Sequence, residues 1–202
     1  MFVHAGQGYS GHGTLCGALG VSSYIINMAC YDDKQSYAAI IDRMMWWYAG
    51  MKFPTERFDD ISAIPKQVQA QAMTPLCHTS VSKWTLAAGA EVTSKDKYER
   101  CAKVSGEVVY TVVYYLNEYF DGNWKPVKWT PSEKIAHCVQ CHGPDTFPDY
   151  TDGMNQQQGH MECLLCHTDH TNESKESNNV FGIGLYHVAG SHAGGLPGKT
   201  VG

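Results

Sequence analysis

Two copies of the pattern C-x-x-C-H lie close together near the C-terminal end of this 202-residue chain. In a c-type haem, two thiols bond to the vinyl groups of the porphyrin and the next residue, a histidine, binds the iron. The expected thioether links are at Cys138, Cys141, Cys163 and Cys166, and the expected proximal iron ligands are His142 and His167. The alternative of a four-cysteine zinc ribbon gives neither histidine a role. The sequence therefore predicts two covalently bound haems.

Net charge, apolar runs and haem attachment each bear on the partners of the protein or on its cellular compartment. The formal net charge is −5, and haem propionates would add to it, which argues against nucleic acid as a partner. No run of about eighteen apolar residues is present, so no membrane span is predicted. The first residues lack the basic start and apolar run of a secretory signal. Because haem is normally attached outside the cytoplasm, we expect a periplasmic protein whose signal was removed, or a chain that begins inside a longer precursor.

The pattern of apolar residues differs between the two parts of the chain. We predict a mainly α fold, with a helical-bundle domain over residues 1–130 and a small, irregular dihaem domain over residues 131–202. Predicted helices cover residues 17–30, 33–50, 66–76, 79–90 and 94–120. From residue 131 onward glycine and polar residues dominate, so the porphyrins are expected to supply the apolar core there.

The longest predicted helix lies between Ser94 and Phe120. Its apolar residues recur at intervals of three and four, namely Tyr98, Cys101, Val104, Val108, Val112, Tyr115 and Tyr119. Val109, Val113 and Leu116 widen this stripe, which predicts a deeply packed helix. The β-branched run in the middle also allows a strand, but the length of the pattern favours a helix.

Each haem iron needs a sixth ligand on the face opposite the proximal histidine. The candidates are the histidines His160, His187 and His192 and the thioethers Met154 and Met161. His137 and His170 stand too close to the motif of the haem that each would serve. The surplus of histidines favours bis-histidine ligation. An iron with both axial positions filled transfers electrons rather than binding small molecules.

Four further cysteines, Cys16, Cys30, Cys77 and Cys101, are not used by the haem motifs. They are far apart in the sequence and lie at element ends or at inward positions. A metal site, disulfides and buried thiols all fit this pattern. Cys77-His78 also matches half of a haem motif, but position 74 is Thr, so a third, singly attached haem is disfavoured.

The segment from Gly13 to Gly20, with Cys16 in a G-x-x-C-G-A pattern, resembles a family of small helical redox proteins with scattered cysteines. Cys77 and Cys101 fall where that family has its later cysteines, whereas its earlier Gly-Cys-Ala segment is absent. With the dihaem tail added, most of the chain is similar to split-Soret cytochrome c.

This resemblance implies features that the spacing of residues does not show. It implies a homodimer with clustered haems at the interface and an axial histidine that the partner subunit can supply. It also implies an iron–sulfur centre, expected to be [2Fe–2S], in the helical domain. Cys16, Cys77 and Cys101 match the ligand positions, and Cys30 is the reserve ligand.

These features together predict an electron-transfer protein that exchanges electrons with a redox partner protein. The first alternative is a haem enzyme that reduces a small substrate at an open iron site. The second is a haem-sensing or dimer-scaffold protein that relays no electrons. The surplus of candidate axial histidines argues against the enzyme.

Overall fold

The computed structural model describes residues 3–127, 130–142 and 160–166, except for the side chains of positions 34 and 140–142. The chain divides into two compact units, Met1–Trp129 and Thr130–Gly202. Helices make up most of the regular structure, which confirms the prediction of a mainly α protein. Within the described residues, no helix is long and apolar enough to cross a membrane.

Four helices build the first unit. They are α1 (Gly17–Ala29), α2 (Lys34–Gly50), α3 (Cys77–Ala88) and α4 (Lys95–Phe120). Strands β1 (Lys52–Phe53) and β2 (Ala70–Gln71) pair in antiparallel fashion between α2 and α3. Short helical turns cover Val3–Ala5, Gly6–Tyr9 and Glu56–Ile61. Helices α1, α2 and α4 pack against one another. The presence of α1 to α4 confirms four of the five predicted helices.

Polar residues define where these helices begin and end. The Asp33 side chain accepts a hydrogen bond from the Ser36 backbone N–H at 3.1 Å and caps α2. Ser94 caps α4 through the Lys97 N–H at 3.2 Å. Gly89 ends α3 in the left-handed conformation, which glycine adopts without steric cost.

The core of the first unit lies between α1, α2 and α4. Its fully buried side chains include Leu19, Ile26, Met44, Tyr48 and Val108. Burial of one such apolar side chain contributes about 1.5–3 kcal/mol. The core therefore fixes which face of each helix points inward.

The helix predicted for residues 66–76 is wrong. That segment is irregular rather than helical, and Ala70–Gln71 within it forms the extended β2. Its backbone groups are satisfied from elsewhere, since the Trp84 indole donates to the Val68 carbonyl at 2.7 Å and the Met73 N–H donates to the Ala49 carbonyl at 3.0 Å. Pro75 cannot donate a helical hydrogen bond, and the segment has too few apolar residues to bury a helical face.

Residues 95–120 form a helix, α4, as predicted, but some residues predicted to be on its buried face are exposed. Tyr98, Val109 and Val113 were placed in the packed stripe, yet each is about half exposed. The buried face carries Val104, Val108, Val112 and Tyr115, as predicted, together with four charged residues, Lys97, Arg100, Lys103 and Glu107. Polar partners explain some of this burial, since Glu107 accepts from the Thr55 N–H at 2.7 Å and from its hydroxyl at 2.6 Å.

One buried ion pair gives a prediction about acid stability. Lys103 donates to Asp59 Oδ1 at 2.6 Å, and this hydrogen bond lowers the pKa of Asp59. A carboxyl with a lowered folded-state pKa stabilises the fold above its unfolded value of about 3.9, and that stabilisation is lost as pH falls through the folded-state pKa. We expect Asp59→Asn to be less stable at pH 7 and to lose less stability between about pH 4 and pH 2. Urea unfolding at several pH values measures both effects.

The exposed Asp121 provides the control, because its side chain forms no ion pair in the described part of the chain. Asp121→Asn should unfold with the pH dependence of the parent protein. An acid dependence for Asp59→Asn that equals that of the parent would contradict the assignment.

Candidate metal centres

The first C-x-x-C-H motif lies on a helix of the second unit. Helix α5 runs from Ala136 to His142 and contains the whole motif. Residues three apart on a helix lie on the same side, so Cys138 and Cys141 are on one helical face. This is the arrangement that bonding to two vinyl groups of one porphyrin requires.

The second motif forms a tighter turn. A 3₁₀-helix spans Cys163–Leu165, and the Cys166 N–H donates to the Cys163 carbonyl at 3.1 Å. This turn keeps Cys163 and Cys166 three residues apart on a compact piece of backbone. Cys163 is half-buried and Cys166 is exposed, so both thiols are accessible for thioether formation. His167 lies outside the described residues.

The two motifs approach each other within the second unit. Burial raises the pKa of the Cys163 thiol, and the charge and hydrogen bonding of Cys138 raise it further. The Ser132 hydroxyl donates to Glu162 Oε2 at 2.8 Å and links the segments that precede the two motifs. The first cysteine of each motif is therefore next to that of the other.

The predicted distal ligands are described only in part. His160 is exposed and immediately precedes the segment that carries the second motif, and Met161 is 38% exposed. His170, His187, His192 and Met154 lie outside the described residues. His137 lies on α5, inside the same helix as the motif that it precedes. The choice among distal ligands stays a prediction.

In the first unit, two distant cysteines are brought together by backbone pairing. Leu15 and Leu76 form an antiparallel bridge. The Cys16 N–H donates to the Pro75 carbonyl at 3.0 Å, and the Cys77 N–H donates to the Thr14 carbonyl at 2.7 Å. Cys16 is the N-cap residue of α1, and Cys77 is the first residue of α3. Both cysteines are therefore at helix N-termini.

Cys101, on α4, completes a group that we call the thiol site: Cys16, Cys77 and Cys101. Burial raises the pKa of Cys77 to about 11, and negative charge on Cys16 and Cys101 contributes in the same direction. The positive charges of Arg100 and Lys97 oppose this rise. Cys77 therefore interacts electrostatically with both other thiols, although it lies 24 positions before Cys101 and 61 positions after Cys16 (101 − 77 and 77 − 16).

The predicted alternative of disulfides is wrong for these cysteines. Cys16, Cys30, Cys77 and Cys101 are free thiols and form no disulfides. The reserve ligand Cys30 caps the C-terminal end of α1, about 20 Å along the helix from Cys16. Within ranges 3–127, 130–142 and 160–166, no three His, Cys, Asp or Glu side chains are close enough to hold one metal ion.

A dinuclear cluster takes its cysteines on two different irons, so its ligands are spread more widely than those of one ion. One observation at the thiol site fits such an anionic group. Arg100 is 2% exposed, its Nη1 lies 3.9 Å from Cys101 Sγ, and its Nε has no hydrogen-bond partner. A buried guanidinium that lies beside Cys101 and acts electrostatically on Cys77 suits a cluster whose cysteines are thiolates.

The structure also adds residues that the sequence patterns did not identify. Arg100 Nη2 donates to Ser80 Oγ at 2.7 Å, and Ser80 Oγ shares a 2.8 Å hydrogen bond with the hydroxyl of Tyr48. Tyr48 in turn contacts Cys16, and burial raises the pKa of its hydroxyl. The sequence did contain a signal that Arg100 is buried. It lies four and eight residues before Val104 and Val108, which places it on the same buried face of α4.

The N-terminal segment covers the thiol site. Gly8 is buried and has φ +67°, in the left-handed region. A Cβ atom at this position would lie 2.8 Å from Cys77 Cβ and 2.7 Å from the Thr14 nitrogen. Only glycine allows the backbone to approach the cysteine so closely.

We therefore expect Gly8→Ala to displace the segment from Cys77. The left-handed backbone alone costs about 1 kcal/mol, and the contacts with Cys77 and Thr14 add to this cost. The expected result is a lower unfolding midpoint and faster alkylation of Cys77, measured by denaturant titration and peptide mass mapping. Gly6→Ala is the matched control, because a Cβ at Gly6 has no atom within 4 Å. Equal alkylation rates in the two variants would contradict the covering role.

The geometry defines a class: a mainly α protein with a half-buried thiol site in its first unit and two C-x-x-C-H motifs in its second. No protein-family model matches the chain. Over 168 residues it is 27% identical to split-Soret cytochrome c of Desulfovibrio desulfuricans (strain ATCC 27774 / DSM 6949 / MB). That match covers 80% of this chain and 56% of the relative, so the chain spans about half of its length.

The fold comparison agrees with the sequence comparison. A solved structure of split-Soret cytochrome c from Desulfovibrio desulfuricans ATCC 27774, in which a novel iron centre is described, matches with a TM-score of 0.64. The match is 23% identical and covers 87% of this chain and 70% of that chain. The predicted similarity to split-Soret cytochrome c is thereby confirmed.

Proposed function

We propose that this protein transfers electrons, with two covalent c-type haems in the second unit and an iron centre in the first. The observation that carries the proposal is the pair of complete C-x-x-C-H motifs, with the Cys138 and Cys163 thiols next to each other. Similarity to a cytochrome c supports it. The proposed domains, residues 1–130 and 131–202, are supported by the division of the chain after residue 129.

In this proposal, Cys138 and Cys141 hold one haem, Cys163 and Cys166 hold the other, and His142 and His167 are the proximal ligands. Bound haem supplies an iron that changes reversibly between two oxidation states. The protein residues hold the porphyrins at short range and fix the axial ligands. His160, His187 and His192 are the proposed source of bis-histidine ligation.

The proposed ligands of the iron centre are Cys16, Cys77 and Cys101, and we propose the [2Fe–2S] form. The convergence of these thiols beside Arg100 supports a site for an anionic cluster. The novel iron centre described for the similar cytochrome supports iron in this kind of fold. Because Cys30 is at the far end of α1, it is not among the proposed ligands of this site.

We further propose a periplasmic homodimer with its haems near the interface and a protein redox partner. Support for association comes from α4, where Val109, Tyr110, Val113 and Tyr114 are each about half exposed. An apolar surface of this kind on one helix is typical of a protein contact.

Mass spectrometry, metal analysis and spectroscopy test the proposal. The denatured chain should retain the mass of two haems, and total iron should be about four per chain if a dinuclear cluster accompanies them. A value of about two irons would rule out the cluster, and a chain without covalent porphyrin would overturn the proposal as a whole.

Carbon monoxide should bind neither haem rapidly, since rapid and full binding to one haem would favour an enzyme. Stopped-flow mixing with a reduced periplasmic cytochrome should show electron exchange.

A further inference from the structure

The buried face of α4 carries a positive charge that the described fold does not neutralise. Arg100 is 2% exposed. Within the described part of the chain, the ion pairs are Arg43 with Glu118 and Lys103 with Asp59, and neither includes Arg100. Burial of an unpaired charge is costly, so a buried guanidinium requires a nearby anion.

The groups around the Arg100 guanidinium show which anion this is. Nη2 donates to the hydroxyl and carbonyl of Ser80, at 2.7 and 3.5 Å, and both of these acceptors are neutral. Tyr48 is bonded to the same hydroxyl, and a phenol is neutral near pH 7. Cys101 Sγ lies 3.9 Å from Nη1, and the charge of Arg100 also acts on Cys77. The remaining neighbours that can carry negative charge are therefore thiols.

Hydrogen bonds determine the position of the guanidinium. Ser80 lies three residues after Cys77, so both are on the same side of α3. Ser80 thus connects Arg100 on α4 to the helix that supplies one thiol, and Tyr48 connects this network to Cys16. The Nε atom is buried without a hydrogen-bond partner, which leaves one donor available for an acceptor at the site.

We infer that Arg100 is the positioning and charge-balancing residue of the thiol site, and that it makes the iron centre easier to reduce. This inference rests on the proposed iron centre at Cys16, Cys77 and Cys101. Reduction adds one electron, and therefore one negative charge, to the centre. A fixed positive charge nearby, screened little by water, stabilises the reduced state more than the oxidised state. Lys97, 5% exposed and one turn earlier on α4, acts on Cys77 in the same direction.

The test is a redox titration of the complete, haem-loaded protein with dithionite as reductant, followed by electron paramagnetic resonance. Three variants are compared with the parent: Arg100→Met removes the charge, Arg100→Lys keeps it, and Arg43→Met is the control. The Arg43 guanidinium pairs with Glu118 and stacks on Tyr115, so its removal changes charge away from the thiols. Circular dichroism and haem content establish that each variant is folded.

We expect Arg100→Met to lower the equilibrium constant for one-electron reduction of the iron centre about tenfold or more, which corresponds to about 59 mV. Arg100→Lys and Arg43→Met should each stay within about threefold of the parent, because the local charge is kept. Haem potentials in the same samples should change less than that of the iron centre. A merely structural role would not produce this difference between the methionine and lysine variants.

The other outcomes are equally decisive. An iron centre retained in Arg100→Met with an unchanged potential overturns the inference and leaves the proposed centre in place. Loss of the centre in Arg100→Met but not in Arg100→Lys supports the charge role, whereas loss in both overturns it. A parent protein that contains only haem iron overturns the proposed centre itself, and the inference with it.

Discussion

Replacement of Cys138 and Cys141 by alanine should halve the haem content of the chain and expose its C-terminal unit to proteases. Without two thiols the porphyrin has no covalent attachment, and the mass of the denatured chain should fall by one haem. The region after residue 130 is rich in glycine and polar residues, so we expect its core to depend on the porphyrins. Limited trypsin digestion with mass mapping measures the protection of each unit.

The paired variant Cys163→Ala with Cys166→Ala should also lose one haem. Cys30→Ala is the control, because Cys30 is a buried thiol of the first unit outside both motifs and should leave haem content unchanged. Helices α1 to α4 should persist in all variants, since the core residues found between them in the described part of the chain belong to the first unit. A C-terminal unit equally protected with one haem or with two would contradict its dependence on porphyrin.

Replacement of Cys77 by serine should remove the iron centre and leave both haems in place. Cys77 lies closest to the covering Gly8 segment and interacts with both other thiols of the site. Loss of one of three ligands is expected to reduce total iron from about four to about two per chain, because a cluster with so few ligands does not survive without it. Metal analysis and the haem spectrum of the same sample separate the two kinds of iron.

The same result is expected for Cys16→Ser and Cys101→Ser. Cys30→Ala is again the control, since Cys30 is at the opposite end of α1 and should retain all the iron. If Cys30→Ala loses the centre and Cys77→Ser keeps it, the assignment of ligands to the thiol site is wrong.

Local patterns predicted most of the helices. Strong capping residues, Asp33 and Ser94, stand where α2 and α4 begin, and both helices have apolar residues at the helical period. The segment before Pro75 lacked both a cap and an adequate apolar face. Its extended form depends on pairing between Ala70 and Phe53, a long-range contact that a local pattern does not contain.

The candidate sites also differ in whether a local sequence pattern predicts them. The proposed haem attachment sites rest on the sequence alone, because thioether chemistry requires one fixed spacing. Cys16, Cys77 and Cys101 were proposed from a resemblance, since thiols distant in sequence carry no spacing signal. Arg100 was missed because a charged residue is normally expected on a solvent-exposed helix face.

By itself, the sequence determined where porphyrin can attach and which segments are helical, because covalent chemistry and hydrogen bonding to near neighbours depend on short spacings. Only the tertiary structure decided that Cys16 and Cys77 meet across the Leu15–Leu76 bridge, with the guanidinium of Arg100 buried beside Cys101. These contacts join residues far apart in the chain, so they form only when α1, α3 and α4 pack and bury the groups between them.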